Sequence, residues 1–142
     1  MRRSFPIIVI EDDPDDLQIL TDAFAECDIH NPMIKFESSA DAVKYLIGSK
    51  DQPLFILCDV NLPKQNGIEF KAEIDLIPEI KSKNIPFIFY STLVSKYGIN
   101  QAYDCLTVQG YFQKNDTFEE FTNVIRTIYN YWNLCKHPLD YD

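Results

Sequence analysis

Short runs of β-branched and aromatic residues recur along the chain, and each leads into a stretch whose apolar positions return every three or four residues. The runs lie at about Phe5 to Ile10, Met33 to Glu37, Leu54 to Cys58, Pro86 to Tyr90 and Val108 to Phe112. Three of them are apolar throughout, the pattern of strands buried on both faces of a parallel sheet. The first helical stretch opens at Asp13-Pro14, with the aspartate as N-cap and the proline at the first helical position, and it gathers Leu17, Leu20, Phe24 and Cys27 on one face. A second runs from about Ser39 to Ile47 and stops at Gly48. A third begins near Gly67 and carries Ile68, Phe70, Ile74 and Ile77 until Pro78 interrupts it. The fourth covers roughly Val94 to Cys105. The fifth has the clearest period, with Phe118, Phe121, Ile125, Ile128 and Trp132 following an Asn115-Asp116-Thr117 cap region. Strict alternation of this kind predicts an α/β fold, a (βα)5 doubly wound parallel sheet with helices on both faces.

The chain has 142 residues, the size of one ordinary domain, so residues 1–142 are read as a single unit. Its core spans about 5–132, with a short C-terminal extension and no separate output module. With 46% hydrophobic residues the chain can bury a substantial core, and a net charge of -9 argues against nucleic acid, whose binding needs clustered Lys and Arg. Arg2-Arg3 is the one basic pair near an end. Cys27, Cys58, Cys105 and Cys135 show no C-x-x-C spacing and read as reduced thiols, while Cys135-Lys136-His137 falls short of a zinc site. No apolar run approaches the ~20 residues of a membrane span. A cytoplasmic protein without a membrane partner is expected.

The chemistry gathers at strand ends. Glu11-Asp12-Asp13 follows the first run, Asp59 the third, Ser91 the fourth and Lys114 the fifth. A parallel sheet brings the C-terminal ends of its strands to one edge, so these residues are expected to meet there. An aspartate at such a point can attack a phosphoryl group if a divalent cation and a lysine offset the charge on the transferring oxygens. Glu11, Asp12 and Asp59 would repel one another without a hard cation such as Mg²⁺ between them. Lys114 could bridge the phosphoryl oxygens or pair with Asp59 while the site is empty, and Ser91 could donate a hydrogen bond to the same group. Asp13, Asp15 and Asp16 are read as no more than an acidic helix start, favoured there by the helix dipole.

At these residues the chain resembles the receiver domains of two-component response regulators, from Pro6 to about Trp132. The resemblance places the family's acidic pair at Glu11 and Asp12, its phosphoacceptor at Asp59, its switch hydroxyl at Ser91, its switch aromatic at Tyr111 and its lysine at Lys114. It also implies a Mg²⁺ ligand in the backbone carbonyl of Asn61, and Leu62-Pro63 and Gly67 match the loop after the acceptor. The implied fold is flavodoxin-like with strand order 2-1-3-4-5, an order for which a chemotaxis receiver is a standard example. The Glu-Asp-Asp-Pro-Asp-Asp start and the Ile128 to Trp132 ending are similar to the small receivers that partner phytochrome-type kinases. One departure stands out: receivers usually carry Pro after the lysine, and this chain has Asn115. Leu93, two residues after Ser91, stands where a side chain can shield an acyl phosphate from water.

The function implied is a non-enzymatic switch that takes a phosphoryl group from a histidine kinase or phosphotransfer protein onto Asp59 with Mg²⁺. It would signal to a downstream protein through a surface made by the fourth helix, fifth strand and fifth helix, a face that could also serve a homodimer. Tyr97, Tyr103, Tyr129, Tyr131 and Trp132 are candidates for that surface, although such a stripe is more often core. Two alternatives remain. A receiver fold can act as a phosphorylation-independent interaction module. An aspartyl-phosphate phosphohydrolase is disfavoured because its second acid, two residues after the nucleophile, would here be Asn61.

Overall fold

The computed structural model describes residues 4–92, 95–105, 107–114 and 117–141. The readings that involve Arg2, Arg3, Leu93, Val94, Asn115 and Asp116 lie outside them. Strands β1 (Ile7–Ile10), β2 (Met33–Phe36), β3 (Phe55–Asp59), β4 (Phe87–Ser91) and β5 (Gly110–Gln113) form one sheet in the order β2-β1-β3-β4-β5. All four pairings are parallel. Every residue of β1, β3 and β4 is buried, which is why these segments read as unbroken apolar runs.

The helices are α1 (Pro14–Glu26), α2 (Ser39–Gly48), α3 (Gly67–Asp75), α4 (Pro78–Lys81), α5 (Lys96–Cys105) and α6 (Phe118–Leu134), followed by a 3-10 turn at Pro138–Tyr141. Asp13 caps α1 by accepting from the Asp15 amide, and Pro14 occupies the first position, as the sequence predicts. Thr117 alone supplies the α6 cap among the described residues, through the Glu120 amide. The expected third helix is two pieces. It ends at Asp75, and Ile77, held extended before Pro78, starts α4. The first strand begins at Ile7 instead of Phe5, because Pro6 has no amide to give the ladder.

Side chains alternate between two cores, one on each face of the sheet. Ile7, Val9, Phe55, Leu57, Ile88 and Tyr90 pack under α1 and α6 with Leu20, Phe24, Phe121, Ile125 and Ile128. Ile8, Ile10, Ile56, Cys58, Phe87 and Phe89 pack on the other face with Ala42 and Leu46 of α2, Phe70 and Ile74 of α3, and Ala102 of α5. Strands β3 and β4 run one residue further than their apolar stretches, so Asp59 and Ser91 are still in the ladder. No helix among the described residues is long and apolar enough to cross a membrane.

Candidate functional site

Register and pleat together assemble the site. Ile10 pairs with Cys58, so Glu11 lies beside Asp59, and Asp59 pairs with Tyr90. These residues continue the α1/α6 face, while Ser91, one residue after Tyr90, falls on the opposite face with Tyr111. Glu11 and Asp59 are buried, at 0% and 5% exposure, and Asp12 is exposed at the rim. Carboxylate oxygens of Glu11, Asp12 and Asp59 lie within 4.8 Å of one another. Such a set of oxygen donors suits a hard divalent cation.

Lys114 reaches into this group from the end of β5. Its Nζ donates to Glu11 Oε1 at 2.8 Å, to Asp16 Oδ2 at 2.8 Å and to Asp59 Oδ2 at 3.4 Å, and it sits 4.6 Å from the centre of the Tyr90 ring. The Tyr90 hydroxyl donates to the same Glu11 oxygen at 2.9 Å. The Glu11 carboxyl is raised to about 7, chiefly by burial and then by hydrogen bonding and repulsion from Asp59, with Lys114 pulling against them. Burial pulls the Lys114 ammonium down, but its bonds to Asp16 and Glu11 hold it above the usual lysine value. Tyr90 is pushed above the usual tyrosine range by burial and by Glu11, so it stays a donor.

The acceptor loop is fastened by its own backbone. The Asn61 amide donates to Asp59 Oδ1 at 3.0 Å, and the Asn61 side-chain amide donates to Ser91 Oγ at 3.0 Å. The Lys114 amide donates to the Ser91 carbonyl at 2.8 Å, which ties the fourth and fifth strand ends together. Ser91 is fully buried, and burial raises the hydroxyl of the half-buried Tyr111 while Ser91 beside it pulls the other way; the Tyr111 ring lies 5.9 Å from that of Phe89. Gly67 donates to the Val60 carbonyl, and a Cβ there would stand 2.5 Å from the Asp59 carbonyl oxygen, so only glycine lets α3 begin this close. Asn66 and Glu69 complete a capping box beside it.

The expected residues Glu11, Asp12, Asp59 and Lys114 thus share one cleft, with Ser91 and Asn61 linked along its other side and Tyr111 on the same face as Ser91. Two participants were not anticipated. Asp16 is corrected from a plain helix-start acid to an ion-pair partner of Lys114. Tyr90 was read as strand core, yet a tyrosine inside an all-buried strand needs a partner for its hydroxyl, and Glu11 is that partner.

This fold and this cleft define a signalling domain of the receiver class, and the family model of the response regulator receiver domain matches residues 7–126. The chain belongs to that family. It is 25% identical over 131 residues to the response regulator Rcp1 of Synechocystis, covering 89% of this chain and 87% of that protein. The structure of the phosphorylated cyanobacterial phytochrome response regulator RcpA superposes with a TM-score of 0.83 at 27% identity, over 95% of this chain and 99% of RcpA. The fold is also that of Rcp1 in its Mn²⁺-bound form, at a TM-score of 0.80 and 24% identity over 94% of this chain and 99% of Rcp1.

Proposed function

We propose that this receiver accepts a phosphoryl group on Asp59 from a histidine kinase or phosphotransfer protein, with Mg²⁺, and signals by changing a protein-binding surface. One observation carries the reading: the Lys114 amine stands 3.4 Å from the Asp59 carboxylate inside a cluster of three oxygen-donor carboxylates. An Asp59 oxygen attacks the phosphorus, the bond from phosphorus to the donor nitrogen or oxygen breaks, and that atom leaves with the electron pair, giving an acyl phosphate. Magnesium held by Glu11, Asp12, Asp59 and the Asn61 carbonyl would draw off negative charge from the transferring oxygens. Lys114 moves toward the new phosphoryl oxygens, and the bound Asn61 amide keeps Asp59 oriented.

The switch then rests on hydroxyls already in use. Ser91 is engaged by the Asn61 side-chain amide before any phosphoryl group arrives, so turning toward Asp59 means giving up that bond. Tyr111, on the same face of the sheet, then repacks toward the space Ser91 leaves. The surface nearest these changes is formed by α5, β5 and α6, where Tyr97, Tyr103 and Tyr131 are exposed. The phytochrome connection of RcpA supports a light-regulated kinase as donor class and a second protein as target.

The test is incubation with acetyl phosphate and Mg²⁺, read by intact mass, beside Asp59→Asn and metal-free samples. A single Mg²⁺-dependent phosphoryl adduct absent from Asp59→Asn is expected. No adduct with small-molecule donors or kinases would overturn the reading and leave a phosphorylation-independent docking module.

A further inference from the structure

The Lys114 ammonium divides itself among carboxylates in a way that sets one of them apart. Glu11 and Asp59 belong to the group whose oxygens converge as metal donors, and Asp16 does not. Asp16 nevertheless holds the amine at 2.8 Å, as closely as Glu11 and more closely than the acceptor. It reaches in from the third position of α1, and Lys114 comes from the far edge of the sheet. Asp16 also lines a cavity of about 290 Å³ with Ile19, Tyr90, Lys114, Phe118 and Phe121. An anionic donor that approaches through this side meets the Asp16 carboxylate next to the lysine it must reach.

We infer that Asp16 is a positioning residue that sets the charge balance of the acceptor cleft, holding Lys114 back from Asp59 and favouring the cation over the incoming phosphoryl group. The inference rests on the phosphoacceptor reading for its second half only. A cation gains from every carboxylate near the cleft and from every contact that neutralises the lysine, and a phosphoryl donor loses by both. Removing the Asp16 charge therefore moves the two affinities in opposite directions. A residue that only supported the fold would lower both together.

Asp16→Asn keeps an oxygen able to accept from Lys114 while removing the charge. Asp15→Asn removes the same charge from an exposed neighbour that forms no ion pair among the described residues. Mg²⁺ affinity is measured by titration calorimetry on unphosphorylated protein, and adduct formation from acetyl phosphate by intact mass at saturating Mg²⁺ and low donor. For Asp16→Asn, Mg²⁺ binding is expected to weaken about three- to tenfold and the adduct rate to rise about three- to tenfold, with Asp15→Asn within about twofold of the parent. A fall in both quantities, or the same changes in Asp15→Asn, would overturn the inference. If the parent protein forms no adduct, the phosphoacceptor reading fails, and the Mg²⁺ titration alone decides for or against Asp16 as the balancing charge.

Discussion

The helices on either side of β5 are held by very different amounts of core. From α6, Phe121, Ile125 and Ile128 sit buried against the strands, and Cys27, the C-cap of α1, donates to the Thr122 carbonyl across the helix interface. From α5, Ala102 is the buried core contact among the described residues, while Tyr97 and Tyr103 are 76% and 51% exposed. The same division runs through the cleft. Glu11, Asp59, Tyr90 and Lys114 lie on the α6 side in a charged, buried network, and Ser91 and Asn61 form a neutral pair on the α5 side with Tyr111 on the same face. Rigid support stands behind the group that must place charge accurately. The weakly packed helix stands next to the hydroxyls that move in the proposed switch, which is where a low opening free energy is useful.

The sharpest test of this contrast is on α6, where Ile125→Ala should cost about 3 to 4 kcal/mol in urea unfolding, because the site is fully packed between sheet and α1. A loss under about 1 kcal/mol would mean α6 is not the rigid partner. Next comes pH. The Glu11 carboxyl titrates near 7 in the folded chain against an ordinary 4.5, so the folded state holds more protons across that window. Metal-free stability is therefore fully present below about 4.5 and falls as pH rises through 7, by on the order of 2 to 3 kcal/mol. Glu11→Gln should flatten this slope, and a metal-free parent whose stability rises from pH 5 to 8 would contradict the assignment.

Tyr90→Phe removes the hydroxyl that serves Glu11 and should cost about 1 to 2 kcal/mol without altering the fold, read by the same unfolding curve. At the small end, Tyr97→Ala on α5 should change stability by no more than about 0.5 kcal/mol. Native-state hydrogen exchange completes the comparison. Amides of α5 should exchange well before those of α6, and equal protection would erase the distinction.

Much of this was legible in the sequence because the physics is local or periodic. Fully buried parallel strands wrote themselves as apolar runs, and their ends marked Glu11, Asp59 and Ser91. Pro78 was readable as a break, but the restart of α4 behind it was not, since four residues carry no period. Asp16 and Tyr90 were obscured for a different reason. Each has a sufficient local explanation, as helix-dipole acid and as strand core, and only the tertiary approach of a residue 98 positions away in the case of Asp16, or 79 in the case of Tyr90, reveals the second role. The C-terminal segment, where His137 meets the Lys83 carbonyl at 3.0 Å, likewise depends on a contact that no spacing announces.

The bond between Lys114 and Glu11 joins positions 103 residues apart, and its lysine comes from the last strand at the sheet's edge. During synthesis, Glu11, Asp12 and Asp59 are all made long before the amine that offsets them. A partly made chain therefore carries mutually repelling carboxylates that the finished one offsets in part with Lys114, and the edge strand has an electrostatic reason, besides its hydrogen bonds, to close onto β4. Docking of β5 is also what brings Lys114 into the cleft, so under the proposed function a chain able to react at Asp59 is one whose sheet is fully assembled.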